Sequence, residues 1–227
     1  MDSDSMTHWW PLVKDLDNIH MPKTELVSFD IGASWAVSQI AIREALDAIG
    51  LPAFIRTDYT SNKHRWMYSC FLDDPGRLYE QISELVSFSI LMDLPVKALA
   101  IREYIPMASG FAAFGGKMPV NPERRYFIRD GVVECHHPHW IEEAIREGTP
   151  KLVLADDGRR VLAALADMNA ESPEEVELLA GYATTIAGVF SGYWSVDFCK
   201  ARDGRWIFID MATGDRSWHP ACPHSQE

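Results

Sequence analysis

The chain has 227 residues, with 21 Lys plus Arg against 33 Asp plus Glu and a formal net charge of −12. That length suits one large domain or two subdomains sharing a core, and the acidic balance excludes a general nucleic-acid backbone binder or a basic membrane-surface protein. The 47% hydrophobic and 24% charged residues are those of a globular chain, and no window approaches the ~20 apolar residues of a membrane span.

The first five residues, Met-Asp-Ser-Asp-Ser, are acidic where a secretory leader is basic, and Cys70, Cys135, Cys199 and Cys222 lie far apart. Both features predict a cytoplasmic protein. Residues 1–21 read as an arm lying against the body, 22–215 as the domain and 216–227 as a tail. Over 33–49, Val37, Ile40, Ala41, Ala45, Ala48 and Ile49 recur at helical spacing, and Gly50 and Pro52 stop the helix. Residues 53–56 read as a short strand that delivers Arg56 and the polar run 57–64 into a loop. A second amphipathic helix spans 75–92 with Leu78, Ile82, Leu85 and Val86 on one face, and 98–105 form a strand ending at Pro106. Residues 124–129 pair with 132–136 across Asp130-Gly131. Ser172-Pro173-Glu174-Glu175 is a capping box with Pro at the first helical position, and Val176, Leu179, Ala180, Ala183 and Ala187 form the inward face. Strand 193–199 returns through Asp203-Gly204 into 206–210. Helices interleave with strands that pair as hairpins, which predicts an α+β fold.

The closing hairpin places Asp197 on one strand and Asp210 on the next. Each acid is flanked by apolar residues, so it points away from the hydrophobic packing. Two carboxylates facing each other repel, and a divalent cation relieves this; Mg²⁺ binds one or two carboxylates plus phosphate oxygens. Turn caps or solvated acids fit the spacing equally well. Arg56 and Lys63, beside a strand-to-loop junction, suit a polyphosphate, although a solvated surface also explains them. Gly115-Gly116-Lys117 and Glu123-Arg124-Arg125 add cations and an acid that one cleft can gather. No P-loop or dinucleotide glycine motif is present.

As an ordered set, Arg56 to Lys63, Arg102-Glu103-Tyr104-Ile105-Pro106, Glu123 with Arg125, and the Asp197/Asp210 hairpin resemble the ATP-grasp superfamily. Pro22-Lys23-Thr24 is similar to the tripeptide by which such chains enter their core. The resemblance implies an ATP-grasp fold of two α+β subdomains with mainly antiparallel sheets clasping ATP. By the same resemblance Arg56 takes the place of the strand-borne lysine, Lys63 lies in the phosphate-covering loop, Glu103, Tyr104 and Ile105 form the adenine hinge, and Glu123 lies near the ribose or triphosphate. Asp197 and Asp210 hold Mg²⁺, and Arg125 and Lys200 are the catalytic cations. Lys200 replaces an Arg that the family carries where this chain has Trp194-Ser195.

The implied activity is an ATP-dependent carboxylate–amine ligase working through an acyl phosphate, with small-molecule or peptide substrates and neither nucleic acid nor membrane as partner. The departures are Ala212 in place of the family's Asn, and Tyr59-Thr60-Ser61-Asn62 in place of a glycine loop. They imply the alternative of a catalytically impaired ATP-binding module. Thr213 and Asp215 stand near enough in sequence to replace the missing ligand.

Cys135-His136-His137-Pro138-His139, with His219, Cys222 and His224, offers soft metal ligands. Successive strand residues point to opposite faces, so Cys135, His136 and His137 do not converge, and no standard zinc spacing is matched. Hairpin-flanking histidines or local substrate contacts explain the run better. The eight tryptophans are evenly spread without basic interleaving, as core residues are.

Overall fold

The structure, a computed structural model, describes residues 3–29, 35–114, 118–149 and 158–219, with the backbone alone of 35–37. The chain divides into two compact units. One comprises Ser5–His8 and Pro22–Ile105; the other comprises Met1–Asp4, Trp9–Met21 and Pro106–Glu227. Both mix helices with antiparallel sheet, as the α+β expectation requires. Gly115, Gly116, Lys117, Cys222 and His224 lie outside the described residues, as does the predicted start of the helix at 33.

The opening residues form a helix that the sequence did not announce, α1 (Met6–Val13), with Pro11 inside it. Met6, Trp9 and Val13 are fully buried and Trp10 nearly so, one stripe at i, i+3, i+4 and i+7. Trp9 stands edge-on to Phe208 at 5.7 Å. His20 bridges to Ile207, its carbonyl accepting from the Phe208 N–H at 2.8 Å.

In the unit built on residues 22–105, β1 (Thr24–Ser28), β2 (Ala53–Thr57), β3 (Phe71–Leu72) and β4 (Ala98–Glu103) form an antiparallel sheet ordered β1-β4-β2-β3. α2 (Trp35–Ile49) and α4 (Leu78–Leu91) cover one face, burying Val27, Ile42, Leu46, Ile55, Leu85 and Ile101 together. Strand alternation sends Ala53 and Ile55 into this core and Phe54 and Arg56 to the opposite face. Gly50, at φ 86, closes α2 with its N–H on the Leu46 carbonyl, the left-handed cap that glycine adopts without Cβ strain. The predicted helix at 75 begins as a 3₁₀ turn, Pro75–Arg77, capped by Asp74, before α4 proper. α3 (Trp66–Ser69) and β1 were not predicted.

The loop after β2 is pinned. Asp58 is fully buried and accepts from the backbone N–H groups of Lys97 (3.0 Å) and Ala98 (3.2 Å) and from Ser5 Oγ (2.6 Å). Thr57 Oγ1 accepts from the N–H groups of Tyr59 and Thr60. These bonds fix the polar run that stands in place of a pliant glycine loop.

In the other unit β5 (Phe111–Ala113) pairs with β6 (Met118–Val120), and the main sheet is ordered β10-β9-β7-β8. Its strands are β7 (Glu123–Arg129), β8 (Val132–Pro138), β9 (Tyr193–Lys200) and β10 (Trp206–Thr213). Asp130 (φ 47) and Gly131 (φ 89) make the predicted turn with both central residues left-handed. α5 (Glu142–Gly148), α6 (Gly158–Asn169) and α7 (Pro173–Ala187) intervene before β9, and α7 packs on β7 and β8. Its capping box is formed, Ser172 Oγ accepting from the Glu175 N–H while Glu175 accepts from the Ser172 N–H.

The helix-covered side of this sheet holds a polar network around Arg124, Glu171 and His136. Burial favours the neutral Glu171 carboxyl, but the His136 hydrogen bond and the Arg124 charge outweigh it and hold the group below its ordinary 4.5. A carboxyl held low in the fold contributes stability above the unfolded value and loses it as pH falls through the lowered one. Glu171→Gln is therefore expected to flatten the acid limb of the stability curve below about pH 4.5, measured by urea unfolding from pH 3 to 7. An unchanged limb contradicts the assignment.

Candidate functional site

The face of the β10-β9-β7-β8 sheet opposite α7 carries the candidate groups in one row across all four strands. His137 is the register partner of Arg125, Arg125 of Asp197, and Asp197 of Asp210. The last pairing depends on a bulge between Phe208 and Asp210. Phe208 faces Phe198, so an unbroken ladder would set Ile209 against Asp197 and turn Asp210 to the helix-covered side. The extra residue returns Asp210 to the face of Asp197 and Arg125.

Arg125 grips Asp197 bidentately, Nε to Oδ1 and Nη2 to Oδ2, both at 2.7 Å, and Nη1 donates to the Trp218 carbonyl at 3.4 Å. Burial opposes the guanidinium charge, but Asp197, Glu123 and Asp210 together raise its pKa above the ordinary arginine value. Asp197 is 7% exposed. Asp210 Oδ1 accepts from the Met211 N–H at 3.0 Å. Buried Glu123 lies 3.5 Å from His139 Nε2, whose Nδ1 lies 3.7 Å from Asp197 Oδ2. Four of the predicted residues, Glu123, Arg125, Asp197 and Asp210, are thus brought together, and His139 and His137 join them. Neither histidine was singled out from the sequence as part of this set, although alternation along β8 places His137 on the face of Arg125.

Lys200 is not brought to this face. Even-numbered positions of β9 point toward α7, and Lys200 forms an ion pair with Glu175 there, over the Trp206 ring. The expectation that it serves as a catalytic cation in place of the family's Arg is corrected: strand parity and the Glu175 carboxylate hold it on the side away from Arg125 and Asp197.

The remaining predicted residues belong to the 22–105 unit. Arg56 is buried on the sheet face away from the helices, opposite Ala100, with Nε on its neighbour's carbonyl, Thr57 O, at 3.1 Å. Lys63 opens a 3₁₀ turn after Asn62, which has φ 48. Burial pushes the Cys70 thiol up to about 12, against the pull of Lys63 and Arg56 nearby. The predicted strand 98–105 stops at Glu103, so Tyr104 and Ile105 lie beyond its ladder. The Glu103 N–H donates to the Lys23 carbonyl at 2.8 Å, and Glu103 Oε2 accepts from the Lys23 N–H at 3.2 Å. The Tyr104 ring stands edge-on to Phe71 at 4.8 Å.

Among the described residues no group of three or more His, Cys, Asp and Glu side chains is poised around a metal. Asp197 and Asp210 are register partners on one face, and Mg²⁺ needs only one or two carboxylates beside phosphate and water, but both Asp197 oxygens are held by Arg125. His136 and His137 face opposite sides of β8, as alternation required: His136 reaches Glu171, whereas His137 stands against Trp218. Among the described residues no helix is long and apolar enough to cross a membrane.

A family model for an ATP-grasp domain, the third family of its clade, matches residues 45–227. No curated protein matches the sequence. Among solved structures the chain is similar to C-terminally truncated Cdc123 from Schizosaccharomyces pombe, with a TM-score of 0.55 and 11% identity over 92% of this chain and 83% of that one. It is also similar to a RimK domain ATP-grasp protein from Sphaerobacter thermophilus, at TM-score 0.48 and 12% identity over 92% of this chain and 58% of that one. D-alanine–D-alanine ligase from Bacillus anthracis complexed with ATP gives 0.48 and 14%, over 92% and 54%. This chain therefore spans little more than half the length of the latter two. The family match covers most of the chain, and the Cdc123 likeness agrees with it in fold: this protein belongs to the ATP-grasp domain family.

Proposed function

We propose that this protein is an ATP-dependent carboxylate–amine ligase that activates a small-molecule or peptide carboxylate as an acyl phosphate and passes it to an amine. A cytoplasmic setting, where ATP and Mg²⁺ abound, belongs to the same proposal. The observation that carries it is the row Arg125–Asp197–Asp210 on the sheet face opposite α7, in a domain of the ATP-grasp family.

Asp197 and Asp210 would hold Mg²⁺, which when bound neutralises the triphosphate and the transferring phosphoryl group. Arg125 fixes Asp197 in direction through two hydrogen bonds, so that little reorganisation is left for the moment of transfer. Glu123, held through His139 beside the same carboxylate, is the proposed ribose or triphosphate contact. Arg56 and Lys63 are proposed to bind phosphate, and the backbone at Glu103, Tyr104 and Ile105 to bind adenine. Lys200, paired with Glu175, is left out of the catalytic set.

A calorimetric titration with ATP, with and without Mg²⁺, followed by an ADP-release assay with amino acids and short peptides, tests the reading. Metal-dependent binding and release that requires both a carboxylate and an amine are expected. Tight, metal-independent binding without turnover would instead establish a catalytically impaired ATP-binding module. Ala212 at the position of the third ligand, and both Asp197 oxygens committed to Arg125, favour that second reading. Arg56→Ala is expected to weaken ATP binding by about 1.5–3 kcal/mol, the range of a hydrogen bond to a charged group. Unchanged affinity in the same calorimeter removes Arg56 from the site.

A further inference from the structure

Beside the acidic row, on the same face, lies a second constellation that the ligase reading does not use. Cys135 Sγ is 3.0 Å from His219 Nε2, and Tyr193 Oη is 3.0 Å from Nδ1 of the same ring. The imidazole is held flat on Phe127, centroid to centroid 3.8 Å with 20° between planes. The Tyr193 ring occupies space that any Cβ at Gly214 would take. Burial, together with Cys135 and Glu134 nearby, keeps the phenol above its ordinary pKa and therefore a neutral hydroxyl. A thiol, a base within hydrogen-bond reach and a third group orienting that base are the parts of an activated nucleophile. With Nδ1–H donating to the phenol oxygen, Nε2 offers its lone pair to the thiol proton.

A separate observation points to a ligand at this place. His137, two residues from Cys135 on the same side of β8, has Nδ1 2.8 Å from the Pro138 carbonyl and its ring edge-on to Trp218 at 5.4 Å. The residue is 5% exposed, and Nε2 has no hydrogen-bond partner among the described residues. Because Nδ1–H donates to the carbonyl, Nε2 is an acceptor that lacks a donor, the requirement that an amine or hydroxyl of a bound molecule meets. Of the three described thiols, Cys70 and Cys199 are closed off at 0% and 1% exposure, whereas Cys135 retains 3%, under a histidine whose own side chain is exposed.

We propose that Cys135 is a nucleophilic thiol, with His219 as its base and Tyr193 as the orienting phenol, that accepts an acyl group from an acyl phosphate. In the step, His219 Nε2 takes the S–H proton and the sulfur electron pair forms a C–S bond to the carbonyl carbon. The C–O bond to phosphorus-bound oxygen breaks, and inorganic phosphate leaves with that electron pair. The product is a thioester on Cys135 beside His137 Nε2. The proposal rests on the ligase reading only for the source of the acyl phosphate.

The test uses the full chain and two defined probes. Iodoacetamide at neutral pH, followed by peptide mass mapping, is expected to alkylate Cys135 about tenfold or more faster than Cys70 and Cys199, because the thiolate is the reactive form. His219→Ala should bring Cys135 down to their level, and Tyr193→Phe should slow it severalfold. Acetyl phosphate, which needs no ATP, should leave a hydroxylamine-labile acetyl group on Cys135 that is absent in Cys135→Ser. Alkylation of Cys135 no faster than of Cys199, or no acetyl group after acetyl phosphate, overturns the proposal. A reactive Cys135 in a protein that never releases ADP overturns the ligase reading alone, and ADP release with an inert Cys135 overturns the thiol alone.

Discussion

Asp197→Asn is expected to lower Mg²⁺-dependent ADP release by about 10²–10³-fold, the usual cost of deleting one preorganised electrostatic group. The substitution removes one of the two carboxylates in the row and sets an amide N–H against the guanidinium that had been gripping both oxygens. From the sequence, an exposed cleft acid would be replaceable without harm to the fold. The structure corrects this, because Asp197 is 7% exposed and bonded bidentately to a half-buried arginine. Leaving Arg125 unpaired is expected to cost about 2–4 kcal/mol, somewhat under the full price of breaking a buried ion pair because both groups keep some solvent contact. Urea unfolding and ADP release on the same preparation separate the two effects. Full turnover in the variant removes the metal assignment.

The largest loss of stability is expected from Arg124→Ala. Arg124 is 1% exposed, with Nε on Glu171 Oε1 at 2.8 Å, Nη1 on the Glu123 carbonyl, and Nη2 on the carbonyls of Met168 and Ala170, both at 3.0 Å. It closes the C-terminal end of α6 and the turn that follows against the sheet. Its removal leaves Glu171 with His136 alone and takes the donor from the helix-end carbonyls, for about 3–5 kcal/mol. Lysine should rescue little, since one ammonium cannot reproduce a planar fork that reaches four acceptors. A loss under about 1 kcal/mol in urea unfolding would show the network to be dispensable, within the range of an ordinary surface change.

What the sequence disclosed and what it hid follow from the range of the forces involved. The capping box at Ser172, the Asp130-Gly131 turn and the stop at Gly50 are local, set by residues within one turn of each other, and all three are found as read. α1 was missed because Pro11 and its short length disguise a buried stripe that only tertiary packing stabilises. Lys200 was misplaced because nearness in sequence to Asp197 says nothing of the face, which parity decides. The Asp197–Asp210 partnership was expected, but not for the operative reason. Counted from Lys200 against Trp206, a regular ladder sets Val196 opposite Asp210, and the bulge after Phe208 corrects the count. No residue type near Ile209 announces a bulge. His137 and His139 were legible as a histidine run yet not as members of the acidic row, since their neighbours come from strands far away in the chain.

The stretch that identifies the family starts at residue 45, inside α2. Folding draws on more than that. β1, with Val27 in the core, is the outer strand of its sheet, and Asp4 accepts from the Thr213 N–H and hydroxyl at 2.7 and 2.6 Å at the far end of β10. A gene fragment trimmed to the recognisable stretch would discard an edge strand, two thirds of a helix and the clasp on the strand that carries Asp210. Kinship and autonomy of folding have different borders in this polypeptide, and any excised version has to respect the second.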